Sequence, residues 1–404
     1  MLGGSENVAQ TEIYKTLGLC NYCTRQVGLS FIDTPKNLLH KITRNSWLLL
    51  STIVLFLMVA GEIDYVATQL VSSSSVEDFV SSLHIVGYDA MSFGKLLTIW
   101  YKRDVFKHLL KELEDIWPVS VLDKEAAEIK RERLSALRIG QFWYAFWNIL
   151  GVWLYNLTPI IVYMYRKMQD KTAYLGYIWL LCYPFDKTKP GYHEFAFVFE
   201  AYGGVVSVWC MLGSDMLFMT MASHISMLLR ILQVKIRRLG TVQNGSSGKR
   251  AGEMQDCYKD IVSVIKIHQR LITYGNDLEG AFSVVNLINV LLSSVNICCV
   301  VFNIVSLLDP WMAMSNKFFL GAALTQVGIL CWYADDIYTA SSGVGDAVYE
   351  SRWYNTNIRC RRTLLVLIQR SQKPLYFTAY KFRSITMKTY SSVRYVYMTL
   401  VPTF

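Results

Sequence analysis

Seven stretches of this chain are long and apolar enough to cross a bilayer, which takes about 20 mostly apolar residues as helix. They fall at 47–67, 79–100, 140–163, 196–221, 281–307, 318–340 and 382–401. Within hydrocarbon every backbone polar group needs a partner inside its own segment or barrel, so runs of this length fold as a bundle of spanning helices. The first is clean from Trp47 to Gly61 and then meets Glu62 and Asp64, whereas Lys388 and Arg394 interrupt the seventh. Of the 404 residues 53% are hydrophobic and 18% charged, against roughly 25% charged in a soluble domain. Membrane therefore replaces much of the water.

Loop charge sets the orientation, because Lys and Arg near the membrane favour the cytoplasm. Residues 1–46, 101–138, 222–275 and 341–376 carry 29 Lys/Arg, against six in 68–78, 164–195 and 308–317. The fold expected is an all-α membrane protein of seven transmembrane helices with a cytoplasmic N-terminus and an extracellular C-terminus. The net charge of +9 is then a topology signal, and no nucleic-acid partner is expected. No secretory signal precedes Trp47, so the first span itself directs insertion. Residues 101–138 alternate in charge like solvated helical faces.

No chemistry-bearing pattern points to an enzyme. The chain lacks H-E-x-x-H, G-x-S-x-G and a Gly-rich phosphate loop. Cys20 and Cys23 form a lone C-x-x-C with neither a second pair nor a nearby His, which reads as free thiols, with no metal and no cofactor.

From about residue 255 the sequence resembles the insect odorant receptors. Tyr258 to Phe302 is similar to the family's fifth-span region, with His268, Asp277-Leu278-Glu279, Phe282 and Cys298 at matching intervals. CWYADDIYTASSGVGDAVYESRWY (331–354) resembles the sixth-span exit, and RRTLLVLIQRSQKPLYFTAYKF (361–382) the basic pair, short apolar helix and Gln-Lys-Pro that follow. Tyr183-Pro184-Phe185-Asp186 is similar to an outer-loop element. Departures are Asp335-Asp336, where the family usually has a Gly and one acid, and the finish YSSVRYVYMTLVPTF; both leave the gate open. The resemblance implies an odorant-gated, non-selective cation channel, a heterotetramer in which co-receptor subunits join a tuning subunit such as this one. It further implies the plasma membrane of olfactory sensory neurons, a volatile ligand and surrounding lipid. The organisation it implies is a cytoplasmic N-terminal segment (1–46), six spans with the odorant pocket in their outer halves (47–340), a cytoplasmic anchor (341–380) and a pore-lining last helix (381–404), the last helix being split between anchor and pore.

Side-chain spacing supplies candidates within that frame. His84, Tyr88 and Met91 share one face of the second span; Asn148, Gly151 and Tyr155, with Trp147 beside them, one face of the third. Tyr202 and Val206 align in the fourth, Phe319 and Ala323 in the sixth. An apolar, aromatic lining with few polar groups suits an odorant, and ordinary helix packing gives the same spacing. In the last span Arg394 lines a pore or completes a buried ion pair. Tyr397, Leu400 and Val401 make an apolar stripe that closes a pore by dewetting or packs a core. Asp89, Glu200 and Asp215 inside spans are ion-pathway or paired groups, and Asp335 and Asp336 are expected to anchor near Arg359, Arg361 and Arg362. A gustatory receptor shares this reading. A G-protein-coupled receptor would need its N-terminus outside, and no Asp-Arg-Tyr follows the third span.

Overall fold

A computed structural model describes residues 2–31, 37–71, 76–119, 123–169, 175–240, 250–306 and 310–391. Helix dominates: α1 (Leu2–Gln26), α2 (Leu38–Val71), α3 (Val76–Tyr101), α4 (Arg103–Ile116), α5 (Lys124–Met168), α6 (Tyr192–Arg237), α7 (Arg250–Ser306), α8 (Pro310–Glu350) and α9 (Ile358–Ser371). Two-residue strands, β1 (Thr378–Ala379) and β2 (Arg383–Ser384), pair antiparallel, a small departure from the all-α expectation. Tyr380 and Lys381 turn them with φ of 50° and 60°, and the Thr378 hydroxyl accepts from Lys381 N at 3.0 Å to hold that turn.

Among the described residues five helical segments are long and apolar enough to cross a membrane: α2, α5, α6, Cys257–Ser306 within α7 and Asn316–Glu350 within α8. They cover the first, third, fourth, fifth and sixth expected spans. The second expected span is α3, where Asp89 and Lys95, both fully buried, lower the hydropathy. The second half of the seventh, 392–401, lies outside the described residues; helix resumes at 387–391.

The burial pattern of each helix explains its position. α6 is buried almost continuously from Gly203 to Ile236, as expected of a helix apolar all round. It forms the axis, and α1, α3, α5, α7 and α8 pack around it. α2 buries only Ser51, Val54, Leu55, Met58 and Glu62, an i, i+3, i+4, i+7, i+11 stripe, and exposes Leu49, Ile53, Phe56 and Leu57 as a lipid-facing helix does. α4 buries Phe106, Leu109, Leu110 and Leu113 beneath a charged outer face.

The expected polar N-terminal segment contains α1, which is built into the core. Ala9, Ile13, Leu17, Cys20 and Cys23 are buried. The Thr16 hydroxyl lies 3.1 Å from His224 Nε2, and Cys20 Sγ donates to Gly213 O at 3.4 Å. A Cβ on Gly213 would stand 2.7 Å from Thr24 Cγ2, so the missing side chain lets α1 reach α6. The far end of this clamp is Glu12, which accepts from Trp117 Nε1 at 2.7 Å and pairs with Lys130 at 2.5 Å. Burial raises the Glu12 carboxyl, but those two bonds outweigh it and hold it below the ordinary glutamate range.

Candidate functional site

A largely apolar cavity of about 190 Å³ opens between α3, α5, α7 and α8 at the end of the bundle away from α1. Its walls are Tyr88 and Met91 of α3, Asn148, Gly151, Val152, Leu154, Tyr155, Thr158, Ile161 and Val162 of α5, and Val208 of α6. Ser293 and Asn296 of α7, Met314, Phe318, Phe319, Ala322, Ala323 and Gln326 of α8, and Trp179 complete it. An engineered apolar cavity of about 150 Å³ holds benzene, so this one accommodates a somewhat larger molecule.

Gln326 brings polarity to the floor. Its Nε2 donates to Asp215 Oδ2 at 3.1 Å, and the same carboxylate accepts from Tyr144 OH at 2.7 Å and from Lys95 Nζ at 2.7 Å. Lys95 and Asp215 are 0% and 11% exposed, so their charges meet with little water between α3 and α6. Asn148 Nδ2 donates to Tyr144 O at 2.9 Å, which fixes that amide on the wall.

A short irregular loop roofs the cavity. Glu200 Oε2 accepts from Ile178 N at 2.8 Å and Trp179 N at 2.9 Å, and its Oε1 from Tyr183 OH at 3.0 Å. Trp179 Nε1 donates to Glu200 O at 2.9 Å. The indole stacks on Tyr155 with centroids 4.9 Å apart, and a Cβ on Gly204 would lie 2.9 Å from Trp179 Cζ2. Only glycine leaves room for the ring there.

Of the residues expected at the pocket, seven line the cavity together: Tyr88, Met91, Asn148, Gly151, Tyr155, Phe319 and Ala323. Four do not. His84 lies one turn from Tyr88, against Phe319 at 5.5 Å and 3.3 Å from the Asn303 amide. Trp147 is 47% exposed, in an outward aromatic row with Phe146. Tyr202 is half-buried with no hydrogen-bond partner for its hydroxyl, and Val206 is buried in the core. Sequence reasoning missed Gln326, although it extends the 319, 322, 323 face of α8 by one turn. Ser293, Asn296 and Trp179 carried no such signal: spacing singled out no candidate on α7, and Trp179 lies in a loop.

Arg394, Tyr397, Leu400 and Val401 lie outside the described residues. Asp336 is held by Arg133 and Arg230 rather than by Arg359, Arg361 or Arg362. Arg361 caps the backbone at Tyr354 and Thr356, and Arg359 lies over the Tyr258 ring at 4.2 Å. Cys20 and Cys23 face α6. No group of three potential metal ligands occurs among the described residues.

A family model described as 7tm odorant receptor matches residues 75–397. Odorant receptor 85c of Drosophila melanogaster is 25% identical over 87% of this chain and 89% of its own length. Odorant receptor 85b of the same species is 24% identical over 77% of each. The insect olfactory receptor OR5 from Machilis hrabei superposes with a TM-score of 0.81 over 96% of this chain and 97% of its own, at 15% identity. Its structure in complex with eugenol matches at the same TM-score, with 14% identity over 98% and 97%.

Proposed function

The chain belongs to the 7tm odorant receptor family, and from that premise we propose that it is the ligand-recognising subunit of an odorant-gated, non-selective cation channel. It is a multi-pass membrane protein and not an enzyme. The observation that carries the proposal is the cavity of about 190 Å³, apolar and aromatic on its walls, with one amide held to a buried carboxylate at its floor. That arrangement suits a small neutral volatile with one polar group: apolar contact supplies affinity and the few polar atoms supply orientation. The Machilis hrabei receptor of like fold was solved with eugenol, which supports the choice of ligand class. Tyr88, Met91, Asn148, Gly151, Tyr155, Phe319, Ala323 and Gln326 are the contact residues of this reading.

The wider frame is part of the same proposal. The N-terminus is cytoplasmic and the C-terminus extracellular, with seven spans. Residues 1–46 form the cytoplasmic segment, 47–340 the six spans, 341–380 the anchor and 381–404 the pore-lining part of a divided last helix. Arg394, Tyr397, Leu400 and Val401 border the pore. The chain assembles with co-receptor subunits as a heterotetramer in the plasma membrane of olfactory sensory neurons.

Co-expression with the co-receptor in cells, with currents recorded against a volatile panel in the absence of added nucleotide, tests the proposal. The wild type gives a rapid inward cation current. Ala323→Trp, which puts an indole into the cavity, raises the half-maximal concentration at least about tenfold with surface labelling unchanged. Currents indifferent to Ala323→Trp remove the cavity from ligand recognition, and a response that requires a G protein replaces the channel reading.

A further inference from the structure

Along the same seam between α5 and α8, but about three to five turns nearer α1, a second groove of about 420 Å³ runs between the helices. Its inner part is apolar, with Leu137 and Gly140 of α5, Met219 of α6 and Ile329 of α8. The groove opens sideways: Ile139 and Trp332 on its rims are 58% and 61% exposed. Because α5 and α8 run antiparallel, Arg133 and Asp336 stand together at the α1 end of the groove, while Gly140 and Ile329 lie about 10 Å deeper, at 1.5 Å per helical residue.

The polar end carries surplus positive charge. Arg133 Nη1 reaches both Asp336 oxygens at 3.2 and 3.3 Å, and Arg230 Nη2 reaches Oδ1 at 2.6 Å. Ser226 donates its hydroxyl to Oδ2. Two guanidinium cations thus share one carboxylate whose oxygens are already occupied. Arg230 Nε is buried with no acceptor, while the two arginine side chains remain 28% and 25% exposed. A guanidinium has five N–H donors and suits phosphate oxygens in a bidentate way.

We propose that this groove is a binding site for an anionic phospholipid, with the phosphate on Arg133, beside the Arg230–Asp336 pair, and an acyl chain lying along Leu137, Gly140 and Ile329 toward the bilayer centre. Charge at one end and apolar floor at the other match an amphiphile entering from the side. Trp332 on the rim belongs at the headgroup level, where tryptophan is enriched. The leaflet concerned is the one on the α1 side; under the proposed orientation this is the cytoplasmic leaflet, where anionic lipids concentrate. The site lies apart from the odorant cavity.

The test uses full-length receptor purified from vesicles of equal parts phosphatidylcholine and phosphatidylserine, washed in detergent, with retained lipid measured by mass spectrometry. One surplus cationic charge gives about a fivefold preference for phosphatidylserine. Arg133→Gln, which leaves the Arg230–Asp336 pair intact, abolishes that preference. Ala136→Phe, on the groove wall with both arginines kept, lowers retention of both lipids while the protein elutes as one species. Equal retention by the wild type, an undiminished preference in Arg133→Gln, or unaltered retention in Ala136→Phe overturns the proposal. With no odorant present and no dependence on vesicle orientation, such a failure leaves the cavity and topology readings untouched.

Discussion

Neutralising Asp215 strands the Lys95 ammonium, whose side chain is 0% exposed and whose partner oxygen lies 2.7 Å away. Breaking a buried pair by removing one partner costs about 3–5 kcal/mol, because the remaining charge stays in a medium of low dielectric constant. Unfolding entropy of about 2.1 cal/mol/K per residue over a chain of this length makes each kcal/mol worth about 1.2 °C, so Asp215→Asn lowers the midpoint by roughly 4–6 °C. Lys95→Met strands the carboxylate instead and falls by a similar amount. The double variant removes both charges and keeps an oxygen for the Tyr144 hydroxyl, so it loses much less than the two singles together. The assay is thermal unfolding of purified receptor in detergent, followed by a thiol-reactive dye that reads the buried cysteines Cys20, Cys23, Cys210, Cys299, Cys331 and Cys360. A coupling above about 1 kcal/mol is expected between groups in contact. Additivity within about 0.5 kcal/mol would mean that Lys95 and Asp215 do not meet, and the polar floor of the cavity would have no fixed frame.

Gly204→Val drives a side chain into Trp179, overpacking by about 1–3 kcal/mol; the odorant response shifts while surface expression persists, and an unshifted response would detach the roof from recognition. His268, buried in α7, has its imidazole pushed down to about 4, by burial first and by the Arg370 charge second. The unfolded chain therefore binds that proton first, and stability falls as pH drops from 6.5 toward 4; His268→Leu flattens the midpoint-against-pH curve there, and an identical slope contradicts the assignment. Glu12, held below its ordinary value of 4.5, contributes to the α1 clamp above that pH and loses the contribution as pH falls through its lowered value. Glu12→Gln should label faster at Cys20 and Cys23 with a dipyridyl disulfide at neutral pH, matching wild type in acid; equal labelling at neutral pH would mean the clamp does not guard α1.

Helical spacing made three walls of the cavity legible in the sequence, that of Tyr88 and Met91 on α3 among them. Asn148, Gly151 and Tyr155, and Phe319 with Ala323, share faces because 3.6 residues per turn leave no other arrangement. The same spacing misjudged Trp147, since an aromatic beside a packed face is as readily turned to lipid. Asp215 and Lys95 are 120 positions apart, and nothing local to either announces the other. Asp336 was expected beside the arginines that follow it in sequence, yet Arg133 and Arg230 reach it because α5 and α6 run alongside α8. Trp179 owes its place to a single carboxylate on α6, a tertiary cause with no periodicity to read. The apolar stripe of α1, at Ala9, Ile13, Leu17 and Cys20, is diluted by polar neighbours, so spacing alone does not mark it as part of the core.

That first helix has a consequence for biosynthesis. Thr16 and His224 are separated by 208 residues, and ribosomes add about 5–20 residues per second. For about 10–40 s the stripe of α1 therefore waits in solution, already translated, for a docking surface that is still being made. A nascent chain in that interval carries an undocked apolar stripe that only the later synthesis of α6 can cover.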